Sequence, residues 1–188
     1  LDQYDLYQKY MLYSLHGQSK DALAKTQLGA WEYDIVLPAY KCNMTDVQAS
    51  IGLAQFARYD TLLARRKEIV ERYNEAFKSF DVSFLNHYDE EHMSSGHLYL
   101  LNIRAFNEQQ RNDFITKLAQ KGIATTVHYK PLPMMSAYMK MGFMIGNYPN
   151  AYAHYCNEIT LPLYSALTDE QVEYIIQTVT TCLKESLC

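Results

Sequence analysis

Two short stretches hold side chains of types and spacings that suit chemistry. In YKCNMTDVQASIGLAQ, residues 40–55, a cation and an amide, Lys41 and Asn43, stand just ahead of Thr45 and Gln48. The Thr45/Gln48 spacing is that of a capping box, in which each side chain satisfies an orphan amide of a helix's first turn. Free N–H groups and the macrodipole at a helix N-terminus favour an anion. Lys41 and Asn43 therefore either shape the turn or extend that preference to a bound anion. In TVHYKPL, residues 126–132, His128 and Tyr129 stand at the end of a segment with strand character. Such ends often carry side chains that face a ligand; a buried, hydrogen-bonded histidine is the plainer alternative. Neither stretch decides its own role.

Other chemistries lack their residues. The chain has no G-x-S-x-G elbow, no phosphate-binding G-x-x-x-x-G-K-S/T loop, no G-x-G-x-x-G turn and no convincing carboxylate pair. Cys42, Cys156, Cys182 and Cys188 are scattered with no C-x-x-C pair, which fits a reducing compartment. His87 and His92 share a polar loop with Asp89, Glu90 and Glu91 and read as solvated rather than as metal ligands, so no metal is expected. A formal charge of −4 and a pI near 5.9 provide no basic field for nucleic acid. No apolar run approaches the roughly 20 residues of a membrane span. A soluble, cytoplasmic protein is expected, with no nucleic-acid or membrane partner.

The elements that must position these residues follow from periodicity. Across 188 residues one substantial core, or a core plus an appendage, is feasible. The chain opens on Leu1 and enters helical period at once, as a segment of something longer would. Residues 4–16 form a helix closed by Gly17, a short helix follows over 21–26, and AWEYDIVLP reads as an extended segment ending at Pro38. From Thr45, apolar Leu62, Ile69, Tyr73, Phe77 and Phe80 recur at helical steps. That pattern predicts a rod of up to about 35 residues over 45–80, roughly 50 Å at 1.5 Å per residue, unless it bends near Gly52 or Asp60. Beyond it, VSFL, HLYLLNIR and IATTVHY read as strands, and helices are expected from Asn107, over 134–140 and over 148–157. A last helix starts at Thr168 with Gln171 in capping-box register, burying Val172, Ile175, Ile176, Val179 and Leu183.

In order and wording, six segments resemble the DegT/DnrJ/EryC1/StrS aminotransferases, a family of fold-type I pyridoxal-phosphate enzymes that aminate keto-sugar nucleotides. They are YSLHGQSKDA, GAWEYDIVLPAYKCNMTDVQASIGLAQ, ARRKEIVERYNEAF, HLYLLNIR, VHYKPL and LPLYSALTDEQV. The resemblance implies an α/β fold, the C-terminal portion of such a transferase: residues 1–44 ending the large cofactor-binding domain, 45–80 as an interdomain helix, and 81–188 as a small domain with a short sheet flanked by helices. It implies pyridoxal 5'-phosphate as cofactor, glutamate as amino donor, a sugar-nucleotide substrate and a homodimer with shared active sites. The family's Schiff-base lysine lies upstream in an S-x-x-K setting that this chain does not contain. No catalytic residue is therefore assigned here, and the chain alone is expected to be inactive.

Carried over position by position, Asn43, and with it Lys41, match the loop that reaches the neighbouring subunit's cofactor phosphate. His128 and Tyr129 match the H-Y/F-x-P-L strand end beside the sugar-nucleotide site, and Trp31 belongs to the same neighbourhood. Cys42 stands where an aromatic is usual, Ala39 where glycine is usual, and Pro133 where many members have a histidine that shapes the substrate pocket. These departures bear on substrate identity. A dehydratase of the same family, with histidine for the upstream lysine, and a non-catalytic oligomerisation module are the alternatives.

Overall fold

The computed structural model describes residues 3–18, 34–42 and 44–187. They divide into two compact units, Leu1–Ala57 and Arg58–Cys188.

In the first unit, helix α1 (Tyr4–Ser14) is closed by a left-handed pair, His16 and Gly17, and the Gly17 amide returns to the Leu12 carbonyl at 2.7 Å. Glycine is required there: at φ +71 a Cβ would lie 2.0 Å from the Leu37 carbonyl oxygen. The extended segment ending at Pro38 meets this turn through an antiparallel bridge between Gln18 and Ile35. The short helix expected over 21–26 lies outside the described residues. Helix α2 (Asp46–Phe56) begins at the Thr45/Gln48 capping box, and none of its side chains is buried among the described residues.

The second unit begins with α3 (Tyr59–Phe77). The rod expected over 45–80 is thus two helices: at Arg58 the backbone leaves helical geometry for φ −114, ψ 5. Strands β1 (Val82–Phe84), β2 (Tyr99–Ile103) and β3 (Glu158–Leu161) form an antiparallel sheet in the order β1-β2-β3. Helix α4 (Glu108–Gln120) starts at a second capping box, Asn107/Gln110. Short α5 (Ser136–Lys140) follows a 3-10 turn, Leu132–Met134, and α6 (Pro149–Asn157) runs directly into β3. Helix α7 (Asp169–Leu187) opens on the Thr168/Gln171 box. IATTVHY is not a continuous strand: within it, among the described residues, only Thr126 bridges Thr160.

Alternation along the strands sets the layers. Tyr99, Leu101 and Ile103 of β2 and Ile159 and Leu161 of β3 are buried in one core with Ile69, Val70, Tyr73 and Phe77 of α3 and Val172, Ile175, Val179 and Leu183 of α7. The Tyr73 and Tyr99 rings meet edge to face at 5.0 Å, and the Tyr73 hydroxyl donates to the Pro162 carbonyl. Outside the core, Asp169 at the start of α7 accepts from both Arg65 and Arg72 of α3, each at 2.9 Å, which ties the two helices at their rims. The opposite residues of β2 and β3, Asn102, Glu158 and Thr160, are polar apart from the half-buried Leu100. Asn102 and Glu158 pair across β2 and β3, and Asn102 donates to Asn157 Oδ1 at 2.8 Å.

His87 departs from the solvated loop expected of it: it is 5% exposed and stacks on Tyr99, with Nδ1 3.0 Å from Ser94 Oγ and Nε2 buried without a hydrogen-bond partner among the described residues. Burial pushes its pKa below the usual histidine value. Below about pH 6.5 the unfolded chain therefore takes up a proton that the folded one refuses. This contribution to stability is fully present above that pH and declines as pH falls through the window down to the folded value. Urea unfolding of the wild type at pH 7.5 and 5.5 should show a larger loss than His87→Gln shows over the same step; equal losses would mean that His87 does not titrate in this way.

Candidate functional site

The two predicted stretches fall in different units. In the first, the loop before α2 is pinned by main-chain bonds to the end of α1. The His16 amide donates to the Tyr40 carbonyl at 2.8 Å, the Tyr40 amide to Tyr13 at 3.1 Å and the Cys42 amide to Ser14 at 2.8 Å, and Lys41 bridges Leu15. A loop fixed through its backbone leaves its side chains free to serve a ligand. Lys41 is exposed and has no ion-pair partner among the described residues. The capping box consumes two of the helix's own donors: the Gln48 amide goes to Thr45 Oγ1 at 3.3 Å and the Thr45 amide to Gln48 Oε1 at 2.9 Å. An anion at this point would depend on the loop's side chains more than on the helix amides. Asn43 and Trp31 lie outside the described residues.

In the second unit, His128 and Tyr129 follow the segment that bridges β3. Their rings meet edge to face at 4.6 Å; Tyr129 is 72% exposed, and His128 is half-buried. Beneath His128 lies a polar cluster that sequence reasoning does not single out. The His128 amide donates to Glu158 Oε2 at 3.0 Å, Thr160 Oγ1 donates to Glu158 Oε1 at 2.6 Å, and His128 Nδ1 lies 2.8 Å from Thr160 Oγ1. Glu158 is 1% and Thr160 5% exposed. Burial raises the Glu158 carboxyl above the usual carboxylate range, opposed by the bonds from Thr160 and the His128 amide. The only sequence signal is a carboxylate inside the apolar run EITLPL, where an unpaired charge is costly and a partner is required.

The remaining features belong elsewhere. A cavity of about 560 Å³ lined by Ile123, Pro162, Tyr164, Leu167 and Tyr174 includes none of the predicted site residues. Among the described residues no group of three or more histidine, cysteine or acidic side chains is placed to hold a metal ion. No helix among them is long and apolar enough to cross a membrane.

A short antiparallel sheet backed by α3 and α7 gives the second unit the mixed α/β character of a fold-type I transferase fragment. The chain belongs to the DegT/DnrJ/EryC1/StrS aminotransferase family, whose sequence profile matches residues 1–180. It is similar to Spr1654 of Streptococcus pneumoniae, a protein assigned as a sugar aminotransferase. With the PMP form of that protein it shares 52% identity at a TM-score of 0.88, covering 99% of this chain and 47% of that one. It is 34% identical to the spore coat polysaccharide biosynthesis protein SpsC of Bacillus subtilis, over 97% of this chain and 48% of SpsC. It is 35% identical to the uncharacterized protein MJ1066 of Methanocaldococcus jannaschii, over 98% of this chain and 49% of that protein. The chain thus spans about half the length of the curated relatives it matches.

Proposed function

We propose that this chain is the C-terminal half of a cytoplasmic pyridoxal-phosphate aminotransferase that moves an amino group from glutamate to a keto-sugar nucleotide, acting as a homodimer with shared active sites. The observation that carries this proposal is the 52% identity and TM-score of 0.88 to a protein assigned as a sugar aminotransferase, over 99% of the chain. That protein also has a PLP form, to which this chain is 48% identical. Residues 1–44 would end the large domain and supply the cross-subunit loop, 45–80 would connect the domains through the two helices that adjoin in sequence at Ala57 and Arg58, and 81–188 would form the small domain.

The residues present fit the cofactor. Lys41, exposed and without an ion-pair partner among the described residues, suits a phosphate dianion, and the Asn43 amide two positions on could add a neutral hydrogen bond. Pyridoxal phosphate, when bound, supplies the electron sink on which amino-group transfer depends. This chain's contribution is to hold and orient. Lys41 and Asn43 would grip the phosphate of the neighbouring subunit's cofactor, while His128, Tyr129 and Trp31 would line the sugar-nucleotide site, with Tyr129 offering a hydroxyl and His128 a ring nitrogen. Apolar side chains on α2 support burial against further protein: Leu53 is 72% and Phe56 75% exposed within this chain.

The experiment is the glutamate half-reaction. The whole protein, loaded with pyridoxal phosphate and given glutamate alone, should lose the visible absorbance of the cofactor's aldehyde form in proportion to the 2-oxoglutarate released. An unchanged spectrum with no 2-oxoglutarate would overturn the assignment.

A further inference from the structure

We infer that Glu158 and Thr160 are positioning residues that hold the His128 imidazole with its proton on Nδ1, leaving Nε2 as an outward hydrogen-bond acceptor for a ligand hydroxyl. That the hydroxyl belongs to a sugar rests on the function proposed above; the tautomer does not.

The direction of each bond follows from counting donors. Burial raises the Glu158 carboxyl, but the two donors aimed at it, the His128 amide and the Thr160 hydroxyl, favour its ionised form; an ionised carboxylate only accepts, and a threonine hydroxyl has one proton to give. Glu158 Oε2 is engaged by the His128 main-chain amide, a donor that cannot reverse. The 2.6 Å contact between Thr160 Oγ1 and Glu158 Oε1 is in the range of a hydroxyl donating to a charged oxygen. The Thr160 proton is then committed, and its lone pairs face His128 Nδ1 at 2.8 Å, so Nδ1 must be the donor there. In a neutral ring Nε2 is left with a lone pair. It has no hydrogen-bond partner among the described residues, yet it is not one of the enclosed polar atoms, so it keeps access to solvent.

The network reaches further into the unit. Thr160 is held in place by its own main chain, whose amide donates to the Thr126 carbonyl at 2.8 Å. Glu158 lies across the sheet from Asn102, which is fixed by His154 and Asn157. The relay is therefore built on one strand, β3, which pairs with β2, while the ring it orients sits at the end of the segment beside it. A ring presenting a lone pair accepts from a hydroxyl and repels a phosphate oxygen. This assigns His128 to the sugar ring rather than to the diphosphate of a sugar nucleotide.

The test is side-chain nitrogen and carbon NMR of the whole protein at pH 8, with the His128 resonances identified by their loss in His128→Gln. The expected result is a neutral ring protonated at Nδ1 in the wild type and in Thr160→Ser, with a shift toward the Nε2-protonated form in Thr160→Val. A wild-type ring protonated at Nε2, or a Thr160→Val ring that keeps its proton on Nδ1, would overturn the relay. Kinetically, losing one hydrogen-bond acceptor should raise KM for the sugar nucleotide about 3- to 10-fold in Thr160→Val, with kcat little changed and Thr160→Ser restored. If the tautomer responds as stated while His128→Gln binds the sugar nucleotide like the wild type, the relay stands and the sugar-binding role of His128 falls.

Discussion

Tyr73→Ala should remove about 3–5 kcal/mol of stability, against a total of about 5–15 kcal/mol for an ordinary domain. Tyr73 is fully buried, its ring meets those of Phe77 and Tyr99, and its hydroxyl donates to the Pro162 carbonyl at 2.9 Å. It therefore joins α3, β2 and the segment after β3, and truncation leaves a void that three elements cannot all close. Tyr73→Phe keeps the ring and orphans only the Pro162 carbonyl, so it should cost about 1 kcal/mol. Urea midpoints for the two variants separate the packing from the hydrogen bond. A loss below about 1 kcal/mol for the alanine variant would mean that the core closes around the missing ring.

Lys41→Ala combined with Asn43→Ala should weaken cofactor retention by at least about 100-fold in the whole protein. Hydrogen bonds to a charged group contribute about 1.5–3 kcal/mol each, which is roughly 10- to 100-fold in affinity per contact. Titrating the apo form with pyridoxal phosphate and following its visible absorbance measures this directly. Lys140→Ala, an exposed lysine on α5, should leave the titration unchanged. If the double variant binds as tightly as the Lys140 variant, the loop before α2 does not hold the phosphate. Raising phosphate concentration should compete with cofactor binding in the wild type and do so less in the double variant.

Much of the architecture is legible in the residues themselves. All three capping boxes, at Thr45, Asn107 and Thr168, begin helices where their spacing places them, because a cap is a local exchange between side chains and amides only three residues apart. The buried stripe of α7 is equally legible, except that Cys182 joins it and Ile176, expected in it, is only partly buried. The features that escape a reading of the sequence are non-local. The division at Arg58 lies two residues from Asp60, one of the two places where the sequence allows a bend, but with neither proline nor glycine there the residues do not say that the helix ends. Strand β3 is only four residues long and follows α6 without a loop, which leaves no turn residue to announce it. IATTVHY has strand composition, yet only Thr126 finds a partner among the described residues, since pairing depends on where β3 lies.

The candidate site shows the same division. Lys41 and His128 stand out from what precedes or follows them along the chain. Glu158 and Thr160 do not, because their importance comes from a side chain some thirty residues away that approaches only after the sheet has formed. His87 is a parallel case. Its acidic neighbours in sequence imply solvent, but the ring turns inward against Tyr99.

The most direct test of the proposed activity follows the nitrogen atom itself. The whole protein is supplied with pyridoxal phosphate, ¹⁵N-labelled glutamate and a set of keto-sugar nucleotides, and the products are analysed by mass spectrometry; residues 1–188 alone are assayed in parallel. The expected result is one labelled amino-sugar nucleotide from the whole protein and none from residues 1–188. Labelled product from residues 1–188, or glutamate consumption by the whole protein with no label entering any sugar nucleotide, would contradict it.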